Sequence, residues 1–132
     1  MRVIDSSSLS KYVNREASWK RVEGLLKEGC TTLELALKEV GNSVWKRVVR
    51  GELTPDIAIS VYKDFVGLRP FKTARQEDLY AKALQISTTW NISLYDALFI
   101  ELSRELNLEL VTSDEKQAEV SEKMGVKTIF IE

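Results

Sequence analysis

Short apolar runs alternate along this chain with longer stretches in which apolar residues recur every three or four positions. Val3 and Ile4 form an apolar pair that stops at Asp5, which predicts a strand over 2–5. Ser6, Ser7 and Ser8 are turn and N-cap residue types, and Leu9, Tyr12 and Val13 then predict a short helix. Ser18 is placed to cap a second helix carrying Trp19, Val22, Leu25 and Leu26, with Gly29 as its stop. Cys30–Thr32 reads as a short strand. Leu33, Ala36, Leu37, Val40, Val44 and Val48 form one helical stripe over about 33–50, ended by Gly51. Thr54-Pro55 opens another helix, with proline at the first helical position, running to about Val66. A strand is expected over 68–71, then a helix over 73–90 through Leu79, Ala83, Leu84 and Ile86. Ser93 caps a helix holding Leu94, Ala97, Leu98, Ile100, Leu102 and Leu106. A strand over 108–112, a helix from Ser113/Asp114 to Gly125 and a final strand over 126–131 complete the pattern.

Strands alternating with helices argue for an α/β fold with a mainly parallel sheet, and parallel strands need helical crossovers. The expected architecture is helices on both faces of that sheet, a three-layer α/β/α sandwich. No repeat, low-complexity tract or linker divides the 132 residues, so residues 1–132 read as one domain.

Composition narrows the chemistry. The chain has no histidine and one cysteine, Cys30. That excludes Ser-His-Asp and Cys-His catalysis, histidine-based zinc sites, an internal disulfide and a Cys₄ cluster. A metal, if used, would be a hard cation held by oxygen. No secretory signal and no apolar run of membrane-spanning length is visible, so the chain reads as cytoplasmic, with no membrane partner. Net charge is -1, but residues 38–75 carry eight basic and four acidic residues, whereas residues 76–132 carry five basic and eleven acidic. The basic middle faces either solvent or a polyanion.

In an open parallel sheet, ligands bind beyond the carboxyl ends of the strands. Asp5 and Asp114 stand at two such ends, and Asp96 lies in the first turn of the helix capped by Ser93. Each acid also has a purely local reading. Asp5 is a common turn residue, Ser93-x-x-Asp96 is a capping-box spacing, and Asp114 is an N-cap type. If the three converge they repel one another, and a divalent cation such as Mg²⁺ or Mn²⁺ is the natural counter-charge. Cys30 reads as a small buried hydrophobe, and the aromatic residues as core or subunit interface. Ile57, Val61, Phe65 and Trp45 mark a dimer face or a partner groove.

Four segments in order resemble the PIN-domain family, in particular its short VapC-type toxins of toxin–antitoxin pairs. Val3-Ile4-Asp5-Ser6-Ser7 resembles the opening strand, and Leu35-Ala36-Leu37-Lys38-Glu39-Val40-Gly41-Asn42 the helix that supplies a glutamate. Leu94-Tyr95-Asp96-Ala97-Leu98 resembles the third acidic segment, and Leu110-Val111-Thr112-Ser113-Asp114-Glu115-Lys116 the fourth. The resemblance implies a Mg²⁺- or Mn²⁺-dependent endoribonuclease with Asp5, Glu39, Asp96 and Asp114 at its site, and Ser6 and Thr112 as supporting hydroxyls. It implies RNA as substrate, a second copy of the chain (a homodimer or higher oligomer) and a small antitoxin as partners. Glu39 is chosen by the motif alone, because periodicity does not separate it from Glu34. No second aspartate closely follows Asp114, where some members carry a further acid. Glu115 and Glu119 are the substitutes at hand. Lys38, Lys46, Arg47, Arg50, Arg69, Lys72 and Arg75 are candidates for RNA-backbone contacts. Two rival readings are a catalytically inactive PIN-like module that binds RNA or protein, and another α/β enzyme with an acidic Mg²⁺ pocket. A phosphate-binding glycine loop is absent.

Overall fold

A computed structural model describes residues 1–132. The strands are β1 (Arg2–Ile4), β2 (Cys30–Leu33), β3 (Lys72–Ala74), β4 (Leu110–Thr112) and β5 (Thr128–Phe130). The helices are α1 (Ser6–Val13), α2 (Trp19–Glu28), α3 (Glu34–Val49), α4 (Pro55–Leu68), α5 (Tyr80–Trp90), α6 (Leu94–Leu106) and α7 (Glu115–Lys123). All neighbouring strands pair in parallel, in the order β3-β2-β1-β4-β5. The expected parallel α/β architecture is the one observed. The three inner strands carry apolar or hydrogen-bonded side chains because both faces are covered. Val3, Ile4, Leu33, Leu110 and Val111 are fully buried, and buried Thr32 donates its hydroxyl to the Ile4 carbonyl at 2.6 Å.

The order of the strands shapes one edge of the sheet. From β1 the chain steps outward to β2 and β3, then crosses back to β4 and β5 on the other side of β1. Right-handed crossovers put α1–α4 on one face and α5–α7 on the other. The packing agrees: α1 rests on α2 and α3, and α3 on α4, while α6 rests on α5 and α7. The winding direction therefore reverses between β1 and β4, and a crevice opens outside their carboxyl ends. No helix is long and apolar enough to cross a membrane.

Three local expectations are corrected. The strand expected over 68–71 lies at Lys72–Ala74, because α4 runs on to Leu68 and ends at Arg69 in a left-handed conformation (φ 40°) before Pro70. Phe71 leaves the ladder and packs on Phe65, with ring centroids 5.6 Å apart. The helix expected from Thr73 begins only with a 3₁₀ turn at Glu77–Leu79, since residues 72–74 pair with β2. The serine run does not cap α1. Asp5 does, and the serines form the first helical turn.

Candidate active site

Four carboxylates from four separate elements line one cleft. Asp5 follows β1, Glu39 lies on α3, Asp96 is in the first turn of α6, and Asp114 follows β4. The cleft measures about 550 Å³, and Lys38, Lys46, Asn42 and Tyr95 share its walls.

Asp5 is 2% exposed and accepts from three residues. The Ser8 backbone N–H donates to its Oδ1 at 3.0 Å, which is the helix cap. The Thr112 hydroxyl donates to Oδ2 at 2.6 Å, and the Ser7 hydroxyl lies 2.8 Å from both oxygens. Burial nonetheless pushes the Asp5 carboxyl up to about 7, opposed by Thr112, Ser8 and Ser7, with the charge of Asp96 adding to the rise. Asp96 is half-buried. Burial first, then the charges of Asp114 and Glu39, carry its carboxyl to about 6, while the capping hydroxyl of Ser93 pulls it down. The Asp96 N–H is the one that Ser93 caps, at 3.1 Å, so the local reading of that spacing is also true.

Asp114 is at once the N-cap of α7 and a wall of the cleft. Its Oδ1 accepts the Gln117 N–H at 2.7 Å, and its own N–H donates to Thr112 Oγ1 at 3.0 Å. Each cap is worth about 1 kcal/mol to its helix. The capping and cleft-lining roles are compatible because a carboxylate has two oxygens. Glu39 is half-buried and accepts the Ser6 hydroxyl at 2.6 Å. Glu34, which periodicity could not separate from it, is exposed and faces Arg69 at 3.5 Å.

These carboxylates do not close into a ready ligand shell: no group of three or more acids stands at coordinating spacing. Their chemistry fits a hard cation. All the donors are oxygens, neighbouring carboxylate charges add to the raised proton affinity of Asp5 and Asp96, and no Lys or Arg forms an ion pair with any of the four. A partly hydrated ion needs only a few protein oxygens.

Of the seven basic candidates, Lys38 and Lys46 face the cleft. Arg47 and Arg50 bind Glu52 at 3.3 and 2.7 Å, Arg69 turns to Glu34, and Arg75 turns to Glu77 at 3.5 Å. Lys72 sits on the edge strand β3. Glu115 and Glu119 are exposed on α7, and neither lines the cleft. Phe65 and Phe99 are core residues, whereas Trp45, Tyr80 and Tyr95 are about half exposed, Tyr95 at the cleft wall.

Two site residues escaped the sequence reading. Ser7 accepts the Ser113 N–H at 2.8 Å while donating to Asp5, joining the ends of β1 and β4. Gln117, fully buried, donates its side-chain amide to the Asp96 carbonyl at 2.9 Å and so ties α7 to α6. Nothing marks Ser7 among three serines. Asp114-x-x-Gln117 is a capping-box spacing that could have pointed to Gln117.

Comparison with known proteins follows the same lines. Ribonuclease VapC3 of Pyrobaculum aerophilum is 29% identical over 123 residues, covering 89% of this chain and 92% of that protein. A crystallised protein from Pyrobaculum aerophilum superposes with a TM-score of 0.76 at 19% identity, over 96% of this chain and 87% of the other. A chain of a toxin–antitoxin complex from Klebsiella pneumoniae gives a TM-score of 0.61 at 13% identity, over 89% of each. The model of the PIN domain matches residues 2–123, and the chain belongs to the PIN-domain family.

Proposed function

We propose that this protein is a divalent-metal-dependent endoribonuclease, the toxin of a VapBC-type pair, with Asp5, Glu39, Asp96 and Asp114 as its site. The observation that carries the reading is the meeting of these four acids, from four elements, at the crevice where the sheet reverses its winding. Family membership and the likeness to a named ribonuclease support it.

Asp5, Asp96 and Asp114 are assigned to hold Mg²⁺ or Mn²⁺, with Glu39 as a further ligand or as the group that orients water. Bound there, the ion supplies charge neutralisation and water activation for phosphodiester hydrolysis. Thr112 and Ser7 keep Asp5 aimed from the floor of the crevice, and Ser6 does the same for Glu39. Lys38 and Lys46 draw the polyanion to the cleft. With no histidine in the chain, no imidazole takes part in proton transfer.

The single core cluster supports reading residues 1–132 as one domain. A cytoplasmic setting is part of the same reading. A homodimer and an antitoxin partner are part of the same reading. Exposed Trp45, Val49, Ile57 and Ile59 on α3 and α4, and the apolar groove at Val61 and Phe65, are the surfaces we assign to them. The test is incubation of single-stranded RNA with the protein in Mn²⁺ and in EDTA. Cleavage only in Mn²⁺ is the expected result, and equal RNA survival in both overturns the reading.

A further inference from the structure

The cleft does not end at the acids. Ser43 and Lys46 line both it and a second groove of about 420 Å³, which has no apolar lining residue. That groove runs between the end of α1 and the last two turns of α3. Its floor is tied across: Asn14 donates its side-chain amide to Ser43 Oγ at 3.0 Å, and Arg47 donates to Asn14 Oδ1 at 3.3 Å.

Cations in the two connected hollows divide into two kinds. Arg47 and Arg50 share the single carboxylate of Glu52. Lys38, Lys46 and Arg15 form no ion pair, although Glu16 shares the outer groove. Lys38 and Lys46 are two helical turns apart on the same side of α3, about 12 Å along its axis. Arg15 is held in advance. Its guanidinium carbon lies 4.1 Å from the Trp19 ring centroid and 5.0 Å from that of Tyr12, and Nη1 donates to the Tyr12 carbonyl at 2.7 Å. Its backbone sits at φ 54°, a conformation that L-residues rarely adopt. A long side chain stacked on two rings loses little freedom when it meets an anion.

We propose that Lys38, Lys46 and Arg15 form a track for the phosphates of a single RNA strand, leading from the acids into the outer groove, with Arg15 as a positioning residue at its far end. The inference rests on the ribonuclease reading and names how that site holds its substrate. Three unpaired cations spread from the acid cleft into the outer groove suit a repeating backbone charge better than one small anion. The outer end of the track, at Arg15, lies outside the acid cleft, so that end governs affinity and the gain from strand length.

The test is fluorescence anisotropy with a labelled twelve-nucleotide oligouridine and a three-nucleotide one, with EDTA present so that no strand is cut. Wild type should bind the longer strand more tightly. Arg15→Gln and Lys46→Gln should each weaken the longer strand by about tenfold. Each should also lower the slope of log affinity against log salt by about 0.7. Arg15→Lys should restore the slope, and thermal melting of each variant reports whether the fold is kept. Unchanged affinity and slope in both glutamine variants overturn the track, as does failure of wild type to bind the longer strand. Tighter binding of a poly-glutamate peptide, lost in the same variants, overturns it in favour of an acidic protein segment. Cleavage in Mn²⁺ with unchanged slopes fails the track alone, and RNA binding without cleavage fails the ribonuclease reading alone.

Discussion

The Thr112 hydroxyl donates to Asp5 Oδ2 at 2.6 Å across 107 positions of sequence, and both groups are buried. This bond joins the ends of β1 and β4 at the point where the sheet changes its winding direction. Thr112→Val keeps the shape and removes the donor. It should cost about 1–3 kcal/mol in urea unfolding, because a buried carboxylate loses its closest partner. It should also raise the Mn²⁺ concentration needed for half-maximal cleavage. Thr112→Ser should restore both.

Ser6 and Glu39 make the same kind of pair from α1 to α3. Glu39→Gln should abolish RNA cleavage. Ser6→Ala should lower kcat by about tenfold, since it frees Glu39 to turn away. Glu34→Gln, which removes an exposed partner of Arg69, should leave kcat unchanged. A steady-state comparison of the three decides which α3 carboxylate does the chemistry.

Gly41 lies within α3 where Tyr62 of α4 crosses it. An added Cβ would stand 2.8 Å from Tyr62 Cζ, and the Tyr62 hydroxyl is tethered to the Leu37 carbonyl. Overpacking of about 1–3 kcal/mol should outweigh the helix-propensity gain of about 1 kcal/mol, so Gly41→Ala should be destabilising by about 1 kcal/mol in wild type. With Tyr62→Leu already present, the same change should become stabilising, and chemical denaturation of the four proteins reads the sign.

Cys30 sits 2% exposed on β2, and burial pushes its thiol from 9.0 up to about 11. At pH 8 that rise cuts the thiolate fraction about a hundredfold. Iodoacetamide should therefore label native protein at least about a hundredfold more slowly than urea-unfolded protein, with mass spectrometry as the readout. Labelling at equal rates would contradict the burial.

Much of this was legible in the hydropathy pattern. Asp5 and Asp114 stand where apolar pairs end, and a parallel sheet brings such ends to one edge. The third acid, Asp96, was readable as a helix-start residue, but its approach to Asp114 depends on α6 crossing back to β4. Glu39 was beyond periodicity, because what separates it from Glu34 is a hydroxyl on another helix. Residues 68–74 misled for a related reason: Leu68 and Phe71 look like a strand, yet the partner of β2 is the more polar Lys72–Ala74, an edge strand that needs no apolar faces. The basic residues could be counted but not sorted, since only the fold shows which of them meet a glutamate.

The central claim is that these acids act together on RNA through a divalent ion. The most direct test is cleavage of one single-stranded RNA in Mn²⁺ by wild type, Asp5→Asn, Asp96→Asn and Asp114→Asn, with circular dichroism on each protein. The account predicts Mn²⁺-dependent cleavage by wild type and its loss in all three variants, with the helical signal kept. Cleavage at the wild-type rate by the folded Asp5→Asn and Asp96→Asn proteins would contradict it.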